Sequence, residues 1–213
     1  MLFSSRLRKI VLPAAAVLVA ALAAGCSGGS SPKAGESGAS ASPSSSPSPS
    51  STVSVPPGVD LTAQGTNLNF GDTATVIFEP TENKATVLSL TVKNARQGRL
   101  SDFKGFILDD PYKKKATYYY VKVRVKNVGT GDVGGVPVPL WGVNGANTLL
   151  PAVNFTSTFK KCTSKPLPKK FAPGDAVDTC LVYLSPKHGS LEAVSYRPSQ
   201  EFNPIQWTGT VKH

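Results

Sequence analysis

Thr117-Tyr118-Tyr119-Tyr120-Val121-Lys122-Val123-Arg124-Val125-Lys126-Asn127 is the stretch that decides the fold. Tyr119, Val121, Val123 and Val125 alternate with Tyr120, Lys122, Arg124 and Lys126. A helix would scatter those valines around its surface, whereas a strand sets them all on one face. Ala85 to Lys93 repeats the pattern, with Leu88, Leu90 and Val92 facing one way and Ser89, Thr91 and Lys93 the other. Thr73 to Phe78 is a further β-rich run.

The rest of the chain reads in the same way. Asn127-Val128-Gly129-Thr130-Gly131-Asp132 and Phe171-Ala172-Pro173-Gly174-Asp175 carry turn chemistry. Val136 to Val143 reads as a strand at a sheet edge, because Pro137 and Pro139 cannot donate to a ladder. Thr148 to Asn154 is a weaker strand candidate. Asp178 to Leu184 alternates, with Cys180, Val182 and Leu184 expected inward. Leu191 to Tyr196 and Ile205 to Val211 complete the set. Seven to nine short strands, frequent turns and no amphipathic helix predict an all-β, antiparallel β-sandwich of the immunoglobulin-like kind. The expected core is Leu88, Leu90, Val92, Val121, Val123, Val125, Val182, Leu184 and Trp207.

Three segments differ in composition. Residues 1–25 have the order of an export signal: Arg6, Arg8 and Lys9, then the apolar run Ile10 to Ala24, then small residues before Cys26. The run has 15 residues, and a bilayer-spanning helix needs about 20. Ala23-Ala24-Gly25-Cys26 resembles a bacterial lipobox. Ala24 and Gly25 fit it, while Ala23 stands where leucine is commonest and Leu22 lies one place too early. The resemblance implies cleavage before Cys26, a diacylglycerol thioether on its sulfur, and attachment to the outer leaflet of the cell membrane. Each buried methylene contributes about 0.8 kcal/mol, and two chains hold where one is marginal. Residues 26–58 then form a Ser-, Pro- and Gly-rich tether, as in Ser42-Pro43-Ser44-Ser45-Ser46-Pro47-Ser48-Pro49. Residues 59–213 are the size of one domain with a sizeable core.

The strand cadence carries a second resemblance. Thr86 to Val92, Tyr119 to Gly129, Phe171-Ala172-Pro173-Gly174 before Asp178 to Tyr183, and Leu191 to Tyr196 resemble a family of bacterial lipoprotein domains. Those domains are immunoglobulin-like, follow a lipobox and a Ser/Pro linker, and are common in actinobacteria and related Gram-positives. The likeness spans about residues 70 to 210. It implies the fold and is nearly silent on activity.

Chemistry is sparse. Among the three cysteines, Cys26 is taken by lipid, which leaves Cys162 and Cys180 as an even pair in an oxidising compartment, where a disulfide is expected. Their spacing is neither a redox CxxC nor, without histidines, a zinc set. The mature chain keeps two histidines, His188 in a turn and His213 at the end, and has no Gly-x-Ser-x-Gly elbow. A Ser-His-Asp site needs a rigidly held base, so no catalytic residue is assigned and no enzyme is expected. Asp109-Asp110 reads as a solvated turn with too few oxygens for calcium. Gly129-Thr130-Gly131 and Gly134-Gly135 lack the Lys-Ser/Thr ending of a phosphate loop. Copper delivery would want several Met or His, and the sole Met is Met1. No metal or other cofactor is implied.

Charge is the remaining clue. Processing takes three positive residues and no acid from 23 Lys+Arg and 13 Asp+Glu, leaving +7. Two clusters stand out: Lys113-Lys114-Lys115, and the group Lys160, Lys161, Lys165, Lys169 and Lys170. The second group has two readings. One is a solvated loop that blunts sheet edges; the other is a surface for anionic headgroups or acidic wall polymers. Nucleic acid is not expected, since no reading motif is present and the chain is exported. Trp141 and the Tyr118–Tyr120 run either cover the sandwich or anchor a partner. The function expected is a non-catalytic module that binds an envelope protein or an anionic wall component. The alternatives are a structural envelope accessory and, least, a hydrolase.

Overall fold

The computed structural model describes residues 53–106 and 110–213. The export signal, Cys26 and residues 27–52 of the tether lie outside the described residues.

The valine alternation becomes the central ladder. In chain order the strands are β1 (Asn67–Asn69), β2 (Thr73–Thr81), β3 (Lys84–Gly98), β4 (Thr117–Asn127), β5 (Trp141–Val143), β6 (Leu149–Leu150), β7 (Ala176–Ser185), β8 (Ala193–Tyr196), β9 (Ile205–Thr208) and β10 (Val211–Lys212). A four-residue helix, α1 (Pro111–Lys114), precedes β4. One sheet runs β1-β9-β8-β5-β6. The other runs β3-β4-β7, with β2 and β10 sharing the outer side of β3. The pairings are antiparallel except for β1 with β9 and β10 with β3. The two-sheet, all-β sandwich expected from the sequence is the architecture the chain adopts.

Between the sheets lies the main core. Val121, Val123 and Val125 of β4 and Leu88, Leu90 and Val92 of β3 are fully buried there, against Val194, Ile205 and Trp207 of the facing sheet. A fully buried side chain of this size stabilises by about 1.5–3 kcal/mol. A bulge at Lys93 adds one residue to β3 between the pairs Val92–Val123 and Asn94–Lys122. That extra residue keeps Ala95 on the core face opposite Val121.

Two expectations are corrected. Leu181 and Tyr183, not Cys180, Val182 and Leu184, face the main core on β7. The run Leu181-Val182-Tyr183-Leu184 is apolar on both faces, so its alternation does not fix which face goes inward. The expected edge strand from Val136 to Val143 is reduced to β5, which lies inside its sheet between β8 and β6. Pro137 and Pro139 precede it, where no ladder bond is lost.

Val182, Tyr118 and Tyr120 instead face a second cluster on the outer side of β4 and β7, with Phe103, Ala116, Phe159 and Cys162. Phe103 stacks on Phe159 with centroids 4.6 Å apart, and packs tilted against Tyr118 with centroids 4.1 Å apart. The expected bridge is present: Cys162 and Cys180 are disulfide-bonded. It ties the loop that carries Phe155 and Phe159 to β7. Opening it by a Cys162→Ser/Cys180→Ser exchange is expected to lower stability by about 3 kcal/mol in the chain-entropy model, read from the urea midpoint. Unchanged stability would mean that the aromatic layer alone holds the loop.

Asn127 ends β4 and is fully buried. Its Oδ1 accepts from Thr86 Oγ1 at 2.7 Å and Gly129 N at 3.2 Å. Its Nδ2 donates to Gly131 O at 2.7 Å and Phe171 O at 2.9 Å. The two N–H or O–H donors and two carbonyls settle which way the amide points. Gly131 is required here, because a Cβ would overlap the carbonyl oxygen of Ala85.

Candidate functional site

Beyond the aromatic layer, the outer face of β4 carries its polar alternation. Lys122, Arg124 and Lys126 are exposed. Across the ladder they meet Cys180, Asp178 and Ala176 of β7. Because Cys180 is bonded to Cys162, the disulfide brings Lys160 and Lys161 to this face. Together with Lys93 of the bulge and Lys122 they line a shallow concavity of about 430 Å³, whose one acid is Asp178.

That acid is already engaged. Lys93 Nζ lies 2.6 Å from Asp178 Oδ1, and Arg124 Nη1 lies 2.9 Å from Oδ2. The hydrogen bond from Lys93 and then the charges of Lys93 and Arg124 hold its carboxyl below the usual carboxylate range. Asp178 thus offsets only one of the two charges of Lys93 and Arg124, and Lys122, Lys160 and Lys161 add to the excess of positive charge around the hollow. Lys161 also acts on Asp102, whose carboxyl is held low mainly by the Arg99 N–H. Asp102 accepts from the Tyr120 hydroxyl at 3.0 Å, and burial drives that hydroxyl's pKa far up. Arg96 covers the same ring at 4.5 Å.

The five lysines singled out from the sequence fall in three places. Lys160 and Lys161 join the concavity. Lys165 lines a separate cleft of about 480 Å³ with Trp141, Pro139, Pro166 and Arg197. Trp141 is 37% exposed there. Lys169 and Lys170 belong to a loop fastened by Asp132, whose carboxylate accepts from Phe171 N at 2.9 Å and Gly134 N at 2.7 Å. Those two N–H groups, helped by Lys84 and Lys170, hold the Asp132 carboxyl low. Sequence adjacency therefore does not show which lysines share a hollow. Lys93, Lys122 and Arg124 read as scattered strand positions, and only the pairing register and the disulfide bring them to Lys160 and Lys161.

The aromatic layer was also missed. Phe103, Phe106, Phe155 and Phe159 sit in segments without alternation, and the one signal was that Tyr118 and Tyr120 flank Tyr119 on the opposite face. A cavity of about 410 Å³ opens in this layer beside Phe106, Phe155 and Tyr118.

Other sequence candidates have structural places. Asp109 lies outside the described residues, while Asp110 caps α1 by accepting from Tyr112 N at 2.8 Å. The His213 ring lies 3.0 Å from Gln97 Oε1, and the backbone of His188 donates to Lys115 O at 2.7 Å. The two histidines thus have different neighbours. Among the described residues no group of three or more His, Cys, Asp or Glu is placed to hold a metal ion. Among them no helix is long and apolar enough to cross a membrane.

No protein-family model matches the chain, and no curated protein matches it. Among solved structures, the chain is similar to a secreted protein of Mycobacterium tuberculosis, MPT63, at 10% identity and a TM-score of 0.48. The likeness covers 70% of this chain and 100% of that one. At that identity and score it bears on neither activity nor partner.

Proposed function

We propose that this chain is an extracytoplasmic, lipid-anchored, non-catalytic binding module whose outer sheet face takes an anionic component of the cell envelope. The observation that carries the reading is the concavity lined by Lys93, Lys122, Lys160 and Lys161 around one engaged aspartate. Location is supported by the Arg6-to-Cys26 sequence and by the Cys162–Cys180 bridge, a bond that persists in oxidising compartments. The division of labour is an export signal at 1–25, a lipidated tether at 26–58 and a binding domain at 59–213.

A polymer of repeated phosphates suits a lysine-lined hollow, since an ammonium acts as a point charge and needs no fixed fork geometry. The test uses the full chain and soluble polyglycerol phosphate as probe. Retention is expected to fall about tenfold in Lys122→Gln/Lys160→Gln/Lys161→Gln, at roughly 0.2–1 kcal/mol per exposed pair. It should fall with added salt and stay unchanged in Lys169→Gln/Lys170→Gln. Equal retention by the triple variant removes the reading and leaves a structural accessory of the envelope.

A further inference from the structure

Two runs distant in sequence meet at the end of the sandwich where β4 starts and β7 stops. One is α1 with its lysines, Lys113, Lys114 and Lys115. The other is the turn Pro186–His188 after β7. The backbone N–H of His188 donates to Lys115 O at 2.7 Å and fastens the two together. The turn is strained: Lys187 and His188 both hold left-handed backbone, with φ of 53° and 57°. Two successive non-glycine residues rarely adopt that conformation, and it persists only where the surroundings impose it. Its result is to set Lys187 beside the lysine run.

Four lysines and an imidazole are thereby gathered at one end. Among the described residues, Asp110 accepts from Tyr112 N at 2.8 Å at the start of α1, and Glu192 acts on the Tyr119 hydroxyl. Apolar groups lie among the charges. Tyr112 is 47% exposed, and half-buried Phe106 and Phe155 line the aromatic cavity together with Lys113. Clustered lysines beside an exposed tyrosine and phenylalanines have the chemistry of a membrane interface. Ammonium groups meet anionic headgroups, and an amphipathic ring rests at their level.

We propose that this end is a docking surface for an anionic lipid bilayer. It uses residues other than the polymer-binding hollow and depends on the proposed function only for access to the membrane. A tether of the kind read in residues 26–58 would hold the surface at high effective concentration, so little intrinsic affinity is needed.

The test is lysine acylation footprinting of the full chain, read by mass spectrometry on two kinds of vesicle. On mixed phosphatidylglycerol–phosphatidylcholine vesicles, acylation of Lys113, Lys114, Lys115 and Lys187 is expected to slow about fivefold or more. On pure phosphatidylcholine it keeps the free rate, and high salt restores that rate on the mixed vesicles. Lys160 and Lys161 stay unchanged in every vesicle arm. In Lys114→Gln/Lys115→Gln, protection of Lys187 by the mixed vesicles is lost. Equal rates on both vesicles overturn the proposal, and so does slowing confined to Lys122, Lys160 and Lys161. Equal slowing by soluble polyglycerol phosphate also overturns it, by making this end a polymer site. Failure of the hollow shows in polymer retention by its own triple variant, so the two outcomes are separate.

Discussion

Trp207→Ala is expected to lower stability by about 4 kcal/mol, within the range of about 3–5 for a large aromatic deleted from a core. Trp207 is fully buried on β9 and pairs with Val194 on one side and Leu68 on the other. It fills the space facing the valine stripe of β4. Its Nε1 donates to Asp72 O at 3.0 Å, so the ring also fastens the turn that leads into β2 in the opposite sheet. Alanine leaves a cavity and an unanswered carbonyl together. A loss of that size lowers Tm by roughly 10 °C in a domain of this length and takes a large share of the 5–15 kcal/mol that holds typical domains. Denaturant melting of the two proteins checks it. Trp207→Phe should recover much of the loss, since the ring returns without the indole N–H. A loss below about 1 kcal/mol for alanine would show that the sheets close over the gap.

Asn127→Asp should cost about as much for a different reason. The change is isosteric, so packing is conserved, but the amide donors are lost and an ionisable carboxyl takes their place at a buried position. The carbonyls of Gly131 and Phe171, both answered by Nδ2, would face an oxygen instead. Each buried group left unsatisfied costs about 1–3 kcal/mol, which puts the pair near ~4 kcal/mol. The same side chain holds β3 through Thr86 and the loop through Gly129. Thr86→Val, which removes one member of the network, should cost only ~1 kcal/mol. If urea unfolding ranks the two variants equally, Asn127 is not the hub its four side-chain bonds make it.

How much of this was legible in the sequence depends on which face each residue type left bare. β3 and β4 were readable because one face is aliphatic and the other polar, as with Leu90 beside Thr91 and Val123 beside Arg124. β7 gave its existence but not its orientation. Both of its faces are covered, so Leu181 and Val182 are equally apolar while they look in opposite directions. The aromatic layer was silent for a related reason. Phe103 ends a single 3-10 turn (Leu100–Phe103) and Phe159 sits in a loop, both too short or irregular for periodicity to carry information, and their meeting depends on the disulfide and on β4. The network around Asn127 was equally hidden, because an asparagine before Val128-Gly129 reads as a turn former and its burial comes from chain segments far away. Of the candidate patch, Lys160 and Lys161 fall beside the concavity, and their neighbours on β3 and β4 emerged only with the register.

The polypeptide changes layers in its final steps. Ile205–Thr208 belongs to one sheet, and Val211–Lys212, just beyond Gly209-Thr210, runs parallel to Ala95–Arg96 in the other. The last residues are therefore a stitch rather than a loose thread. Any label fused after His213 hangs from a seam that both halves of the garment share.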